Sequence, residues 1–352
     1  MPLRLRCYWL PPIRYRGTVI FTLDFPQAYL VEWPRPSAIF RQSPEDFFVN
    51  EVLGFDLTGE GEHIALHIEK CGHNTHWVAA ELARYAGVAE RDVGVCGRKD
   101  RHAVTRQWFS LYDPHVKPID WSSFHYEGVR IVDVTRHNKK LRPGMHQHNQ
   151  FTIRLRQVQI QGQPLTYQQK QALSLHIQHC FDVGVPNLFG PQRFGRDGNN
   201  LGLAEQWFLK QQPPPRKQRG MVLSAARAYL FNCVLAERIR QGNWLEVIDG
   251  DCVQESLPTG PLWGRGRLAT QGQAKELEQS VLEPFTHWCD RLEHQGLAQE
   301  RRSLVLQPSH ASHQWDQEDL IVRFELVSGA FATAVLAEIS ELKAADKAPD
   351  VV

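Results

Sequence analysis

Asp100 is the residue of this chain with the clearest chemical potential. It lies in the run Gly97-Arg98-Lys99-Asp100-Arg101-His102-Ala103-Val104-Thr105-Arg106-Gln107-Trp108. A single carboxylate among cationic side chains is favoured in its ionised form, because nearby positive charge stabilises the anion. An ionised carboxylate held at the end of a regular element serves as a nucleophile or a general base. The flanking Arg and Lys would attract a polyanion. The bland reading of the same run is a salt-bridged surface turn, and local composition alone prefers it.

The elements around this run are expected to hold it firmly. Phe47 to Val52 alternates and reads as a strand, and Ile64, Leu66 and Ile68 mark one face of a second. Asn74 is a candidate N-cap for a helix to about Ala86, with Gly87 closing it. Val78, Leu82 and Tyr85 form the expected buried stripe of that helix. Val93 to Cys96 is a short buried strand, and Gly97 opens the turn that carries Asp100, where a glycine would supply backbone freedom. Farther on, Phe151, Ile153 and Leu155 alternate with Thr152, Arg154 and Arg156, the pattern of a half-buried strand. A helix is expected from Tyr167 to Cys180, a linker from Gln211 to Lys217, and a helix N-capped by Ser224 running to about Arg240. A last strand, Leu320 to Val327, precedes a helix containing Val335, Leu336 and Ile339. The sum is a mixed α/β (α+β) chain.

Composition narrows the function classes. The chain has 352 residues, room for two domains with a core in each. No apolar run approaches the ~20 residues of a membrane helix, and the N-terminus lacks a signal-peptide pattern, so the expected location is the cytoplasm. Seven scattered cysteines without a CxxC pair speak against a disulfide framework or a cysteine-built zinc site. His146-x-His148 and His310-x-x-His313 lack a carboxylate third ligand, so no metal is expected. Net charge is only +1, yet Arg136 to Arg156 holds six Lys or Arg and no acid, while the chain from Asp316 onward is net acidic. Such segregation can create a basic face on a near-neutral protein.

The run containing Asp100 resembles the catalytic segment of the TruD family of tRNA pseudouridine synthases. The resemblance recurs in order at Ser43-Pro44-Glu45-Asp46-Phe47, Gly61-Glu62-His63, Asn74-Thr75, Lys140-Leu141-Arg142, Gly144 and Asn149-Gln150-Phe151. It continues through Val185 to Gly195, Ser224-Ala225-Ala226-Arg227 and Gly329 to Thr333, covering the chain from about Leu23 to about Ile339. The family implies a mixed-sheet pseudouridine synthase catalytic domain with an inserted second α/β domain. The expected division is a lead-in over 1–35, the first catalytic part over 36–183, the insert over 184–303, and the second catalytic part over 304–352.

The resemblance also implies a reaction. A uridine in the D arm of tRNA, at position 13, would be isomerised to pseudouridine without cofactor or metal. No Walker A or dinucleotide fingerprint is present. The implied substrate is tRNA, with no membrane and no obligate protein partner evident. Asp100 would be the catalytic carboxylate, attacking C1′ or C6 or removing a proton from C2′; the sequence leaves these routes open. Arg41 stands where the family commonly has lysine and would pair with Asp100. Phe47 and Phe151 resemble the aromatics that pack on the target base, and Asn149 has donors and acceptors suited to a uracil edge or the ribose. Lys99, Arg101, Arg193 and Arg227 complete the expected substrate-binding set. Lys99 and Arg101 would position phosphates or frame the loop; Arg227, in the first turn of a helix begun at Ser224, would help form a phosphate site. Arg98 departs from the smaller uncharged or amide residue expected there. Two other classes compete: a glycosidase-like hydrolase pairing Asp100 with Glu45 or Asp46, and a non-catalytic RNA-binding protein.

Overall fold

A computed structural model describes residues 35–344 and the backbone of residues 6–9, 13–15, 18–21 and 24–27. Of the expected lead-in over 1–35, only Arg35 and these short backbone segments are described. The rest forms two units, one of 35–182, 308–332 and 339–344, the other of 183–307 and 333–338.

The first unit is built on an eleven-stranded mixed sheet. Its strands in chain order are β1 (Ser37–Phe40), β2 (Phe47–Val52), β3 (His63–Lys70), β4 (Val93–Val95), β5 (Val104–Tyr112), β6 (Val129–His137), β7 (His148–Ile160), β8 (Gln163–Pro164), β9 (Ser309–Asp316), β10 (Asp319–Val327) and β11 (Glu341–Ala344). The main path runs β6-β3-β5-β2-β7-β10-β9, with β4 on β5, β8 and β1 on β7, and β11 on β1. Alternation sets the faces. In β7, Asn149, Phe151, Ile153 and Leu155 are buried while the intervening residues are partly exposed, as a period of two requires.

The helix Thr75–Ala86 covers one side of this sheet. Asn74 Oδ1 accepts the Trp77 amide at 2.8 Å, and Gly87 ends the helix in the left-handed conformation at φ 66°, both as the sequence indicated. Val78, Leu82 and Ala86 pack on Ile64, Leu66, Ile68, Phe109 and Leu111. Each large aliphatic side chain buried this way contributes roughly 1.5–3 kcal/mol. Tyr85 departs from the expected stripe. It is 37% exposed and lies against the rings of Trp121 and Phe124 at the helix edge.

Two pairings bring chain segments to one end of the sheet. β2 and β5 run parallel, Phe48 beside Val104 and Asn50 beside Arg106. The loops entering both strands, 41–46 and 97–103, therefore arrive at the same edge. β3 runs antiparallel to β5, with its last residue, Lys70, opposite Thr105. β7 runs antiparallel to β2, which sets Asn149 opposite Glu51 and Phe151 opposite Val49. Residues far apart in sequence meet here because of strand direction.

The second unit contains the helices Asn199–Lys210, Arg216–Arg240, Gly272–Leu282 and Thr286–Glu293, with a three-stranded sheet that includes Leu257–Leu262 and Glu300–Ser303. Tyr229, Phe231, Phe285 and Trp288 are buried at its centre. The helix expected to start at Ser224 starts eight residues earlier, at Arg216, with Pro215 in the cap position. Ser224 is thus mid-helix and has no helix-terminal amides to offer. The helix passes through Gly220; an interior glycine costs only about 1 kcal/mol, and the long buried face that follows overrides it.

Among the described residues no helix is long and apolar enough to cross a membrane.

Candidate active site

The loop between β4 and β5 presents Asp100 to solvent, its side chain 56% exposed. Arg41 Nη2 donates to Asp100 Oδ2 at 2.5 Å. Arg41 is itself tightly placed. Its guanidinium carbon lies 4.0 Å from the Phe47 ring centroid and 5.0 Å from that of Phe40. Its backbone is left-handed at φ 58°, a conformation that costs a non-glycine residue about 1–2 kcal/mol. Strain of this kind persists where surrounding structure enforces it, and it is over-represented at functional sites.

The segment just after Arg41 is fixed by a buried carboxylate. Asp46 accepts the Ser43 amide at 2.9 Å and both closes and caps the turn Pro44–Asp46. Arg156, from β7, forks onto Asp46 at 2.7–2.9 Å. Asp46 is 1% exposed and committed to this arrangement, so it is not the second carboxylate that a hydrolase reading would require. Glu45 is exposed.

The main chain carrying Asp100 is pinned peptide by peptide. Gln107 Nε2 donates to Gly97 O at 3.2 Å, and Thr75 Oγ1 accepts the Lys99 amide at 2.9 Å while donating to Gln107 Oε1 at 2.8 Å. Lys70 Nζ donates to Asp100 O at 2.8 Å and Lys99 O at 3.4 Å. Arg101 and Gly72 exchange hydrogen bonds, Nε to Gly72 O at 2.7 Å and the Gly72 amide to Arg101 O at 3.1 Å. Arg101 therefore braces the loop, its side-chain Nε bound to the protein itself. Arg98 and His102 are exposed. Gly97, expected to supply backbone freedom, is not left-handed. A Cβ there would come within 3.3 Å of His146 Cε1, a tight contact.

Beneath the loop lies a buried polar chain. Lys99 Nζ is 2.8 Å from Glu51 Oε2, with side chains 7% and 0% exposed, and it also donates to Asn149 Oδ1 at 2.7 Å. Asn149 Nδ2 lies 3.2 Å from His146 Nε2. Glu51 Oε1 accepts the Trp108 amide at 3.1 Å. Lys99 is therefore not a phosphate contact; its ammonium points inward and orients Asn149. Burial, followed by the charge of Lys99, pushes the His146 pKa down, so the ring is neutral and its Nε2 accepts from the amide.

The expected base-packing aromatics share one stack. Phe40, Phe47, Phe151 and Phe324 follow one another at centroid separations of 5.5, 6.0 and 5.5 Å. Phe47 and Phe151 are 5% and 8% exposed. Arg41 joins this stack to Asp100, and Lys99 joins Asn149 to the same loop, so five expected residues converge: Arg41, Phe47, Asp100, Asn149 and Phe151.

Arg193 and Arg227 belong to the second unit. Arg193 donates to Ser224 Oγ at 3.0 Å and lies 5.3 Å from the Phe189 centroid; burial lowers its pKa. Arg227 Nη2 donates to Leu262 O and Ala298 O at 2.8 Å and meets Glu300 at 3.1 Å. Its guanidinium ties the helix Arg216–Arg240 to the neighbouring strands, which replaces the phosphate role expected from a helix start.

Sequence reasoning gave no site role to Lys70 or Glu51, and weighed His146 only as a metal ligand. Thr75 and Gln107 were quoted only within motifs. All act through burial, which becomes visible only once partners are known. One signal was available for Glu51: an acid on the buried parity of an alternating strand.

The family model described as tRNA pseudouridine synthase D (TruD) matches residues 26–214. A tRNA pseudouridine synthase D of Cellvibrio japonicus is 47% identical, over 92% of this chain and 94% of its own. That of Aeromonas hydrophila is 42% identical, over 91% of this chain and 95% of its own. The crystal structure of a Methanosarcina mazei protein assigned to tRNA pseudouridine synthase D superposes with a TM-score of 0.67, at 21% identity, over 89% of this chain and 95% of that one. At that identity the likeness speaks for the fold.

Proposed function

The chain belongs to the TruD family of tRNA pseudouridine synthases, and from that premise we propose that Asp100 is its catalytic carboxylate and uridine 13 of the D arm its target. The observation that carries the reading is the Arg41–Asp100 pair at 2.5 Å on a loop whose peptides are individually anchored.

Pseudouridine formation breaks the C1′–N1 bond, turns the base, and joins C1′ to C5. The proton lost from C5 is balanced by one gained at N1, so no group is imported. Two requirements follow: an anion beside the sugar or base, and a holder for a base removed from its stack. In this reading Asp100, kept charged and aimed by Arg41, supplies the first, by attack at C1′ or C6 or by removing the C2′ proton. Phe47 and Phe151 offer an aromatic edge beside the site, and Asn149 the polar contact. Lys99 occupies Asn149 Oδ1, so Asn149 meets its substrate as a donor, suited to a uracil carbonyl or a ribose oxygen. Arg101 frames the loop and Arg193 contributes to tRNA binding from the second unit. The domain division proposed from sequence, with an insert over 184–303, gives each role its place in the chain. The proposed place of action is the cytoplasm. The described cysteines are all free thiols, as a reducing compartment would keep them.

The test is pseudouridine mapping on unmodified tRNA incubated with purified protein and no added cofactor, with Asp100→Ala alongside. Product at position 13 with wild type and none with the variant supports the reading. Product from the variant removes Asp100 from the chemistry.

A further inference from the structure

Lys70 ends β3 and has no exposed surface. Its Nζ donates to three main-chain carbonyls: His73 O at 2.9 Å, Asp100 O at 2.8 Å and Lys99 O at 3.4 Å. An ammonium has three N–H donors, and here all three go to backbone rather than to a carboxylate. A buried ammonium without a paired anion is costly in free energy. Covering apolar surface does not require it, since Met or Leu would serve. What a lysine does here that an apolar residue would not is gather two turns, 71–74 and 99–100, onto one point.

We propose that Lys70 is a positioning residue for the isomerisation: its ammonium clamps the main chain at Lys99 and Asp100 and so fixes where the Asp100 carboxylate stands. The proposal rests on the reading of Asp100 as the catalytic group. The clamp acts on the peptide of the reacting residue itself, so a shift there moves the carboxylate by a similar amount. Misplacement by about 1 Å costs on the order of 100-fold in rate.

The clamp is also switchable. Burial pulls the Lys70 pKa down to about 8; the Asp100 carboxylate and, when ionised, the Cys71 thiol oppose this, and Lys99 adds to it, while burial pushes the Cys71 thiol itself up. These are the titratable groups that act on it. Its cross-strand neighbours, Thr105 and Val129, do not titrate, and the His73 ring is turned to Glu127 O. Below about pH 8 the ammonium holds all three carbonyls. Above it the neutral amine has two N–H groups and no charge, and the clamp loosens.

Two measurements test this. The first is kcat and KM on unmodified tRNA from pH 6.5 to 9.5 for wild type and Lys70→Met. Wild-type kcat is expected to fall as pH rises through about 8. Lys70→Met is expected to lose about 100-fold in kcat at pH 7, with KM little changed and no alkaline decline of its own. Wild-type rates in the variant, or the same alkaline decline at a lower rate, would overturn the proposal. The second needs neither a folded variant nor activity: amide hydrogen exchange of wild type at pH 7 and pH 9, corrected for intrinsic base catalysis. Residues 97–101 should lose protection at pH 9 while the centres of β3 and β5 keep theirs. Equal protection at both pH values would overturn the clamp even if Asp100 proves catalytic, and a loss of protection confined to 97–101 at pH 9 would stand even if Asp100 does not.

Discussion

Arg41 reaches Asp100 from a strained backbone. Its Nη2 donates at 2.5 Å to Oδ2 while its φ is 58°. The pair is partly solvated, with side chains 31% and 56% exposed, so it adds little to stability, within about 1 kcal/mol. Its value lies in aim and charge. Arg41→Gly removes the guanidinium and relieves about 1 kcal/mol of left-handed strain, offsetting the lost contact with the Phe47 and Phe40 rings, about 0.5–1 kcal/mol. The expected outcome is a melting temperature close to wild type with a large loss of pseudouridine formation. Arg41→Lys should retain part of the activity, since it keeps the charge but not the planar fork. If Arg41→Gly matches wild type in single-turnover rate, the pair has no part in the chemistry.

The buried pair beneath the loop behaves in the opposite way. Glu51 and Lys99 meet at 2.8 Å with almost no solvent contact. Removing one partner strands the other charge, at a cost of roughly 3–5 kcal/mol. Glu51→Leu and Lys99→Met should each be strongly destabilising in urea, while the double variant should be markedly less so than the sum. A purely additive double-mutant cycle would show that the two charges are not coupled.

These two pairs mark how far the sequence could be read. The run around Asp100, the helix caps at Asn74 and Gly87 and the alternation of Phe47–Val52 are local signals, and local physics decides them. Five of the expected site residues converge for a reason the local pattern does not contain: β2 and β5 run parallel, which brings residues 41 and 100 to one edge. Lys70 and Glu51 were invisible because a charged residue becomes a buried anchor only once its long-range partners are assembled. Lys99 was legible as part of the motif, but its direction was not. It points inward to Glu51 rather than out to a phosphate. Ser224 was misread because a serine before an apolar run resembles an N-cap wherever it occurs, and the packing that carries the helix back to Arg216 is tertiary.

Five histidines of the sheet unit, His63, His67, His137, His146 and His313, have pKa values lowered by burial. The unfolded chain therefore binds more protons than the folded one once pH falls below about 6.5. Stability should be full above that pH and decline below it, with a ceiling near 1.4 kcal/mol per pH unit for each histidine that stays neutral. Urea unfolding at pH 7.5, 6.5 and 5.5 measures this. A flat profile across that range would mean that these rings protonate freely in the folded protein.

Phe151 lies between Phe47 and Phe324, and the two roles open to it separate by size of substitution. Phe151→Ala should cost about 3–5 kcal/mol as a core truncation. Phe151→Leu keeps most of the volume and should cost less than about 1.5 kcal/mol. If the ring also meets the target base, Phe151→Leu will still lower turnover on tRNA in a protein that melts near the wild-type temperature. Unchanged turnover in Phe151→Leu would confine Phe151 to the core.

Arg193 and Arg227 give the sharpest contrast within the second unit. Arg227 is fastened to Leu262 O, Ala298 O and Glu300. Arg227→Ala should therefore lower stability by about 1–3 kcal/mol, since it leaves carbonyls unsatisfied, and should leave the salt dependence of tRNA binding as it was. Arg193 donates to a hydroxyl, Ser224 Oγ, and its proposed role is electrostatic. Each phosphate contact contributes about 0.7–0.9 to the slope of log affinity against log salt, so Arg193→Ala should flatten that slope by about one such step. Binding titrations from 50 to 300 mM salt, on order of magnitude the range where counterion release is read, compare the two directly. A flattened slope with Arg227→Ala and an unchanged one with Arg193→Ala would reverse the two roles.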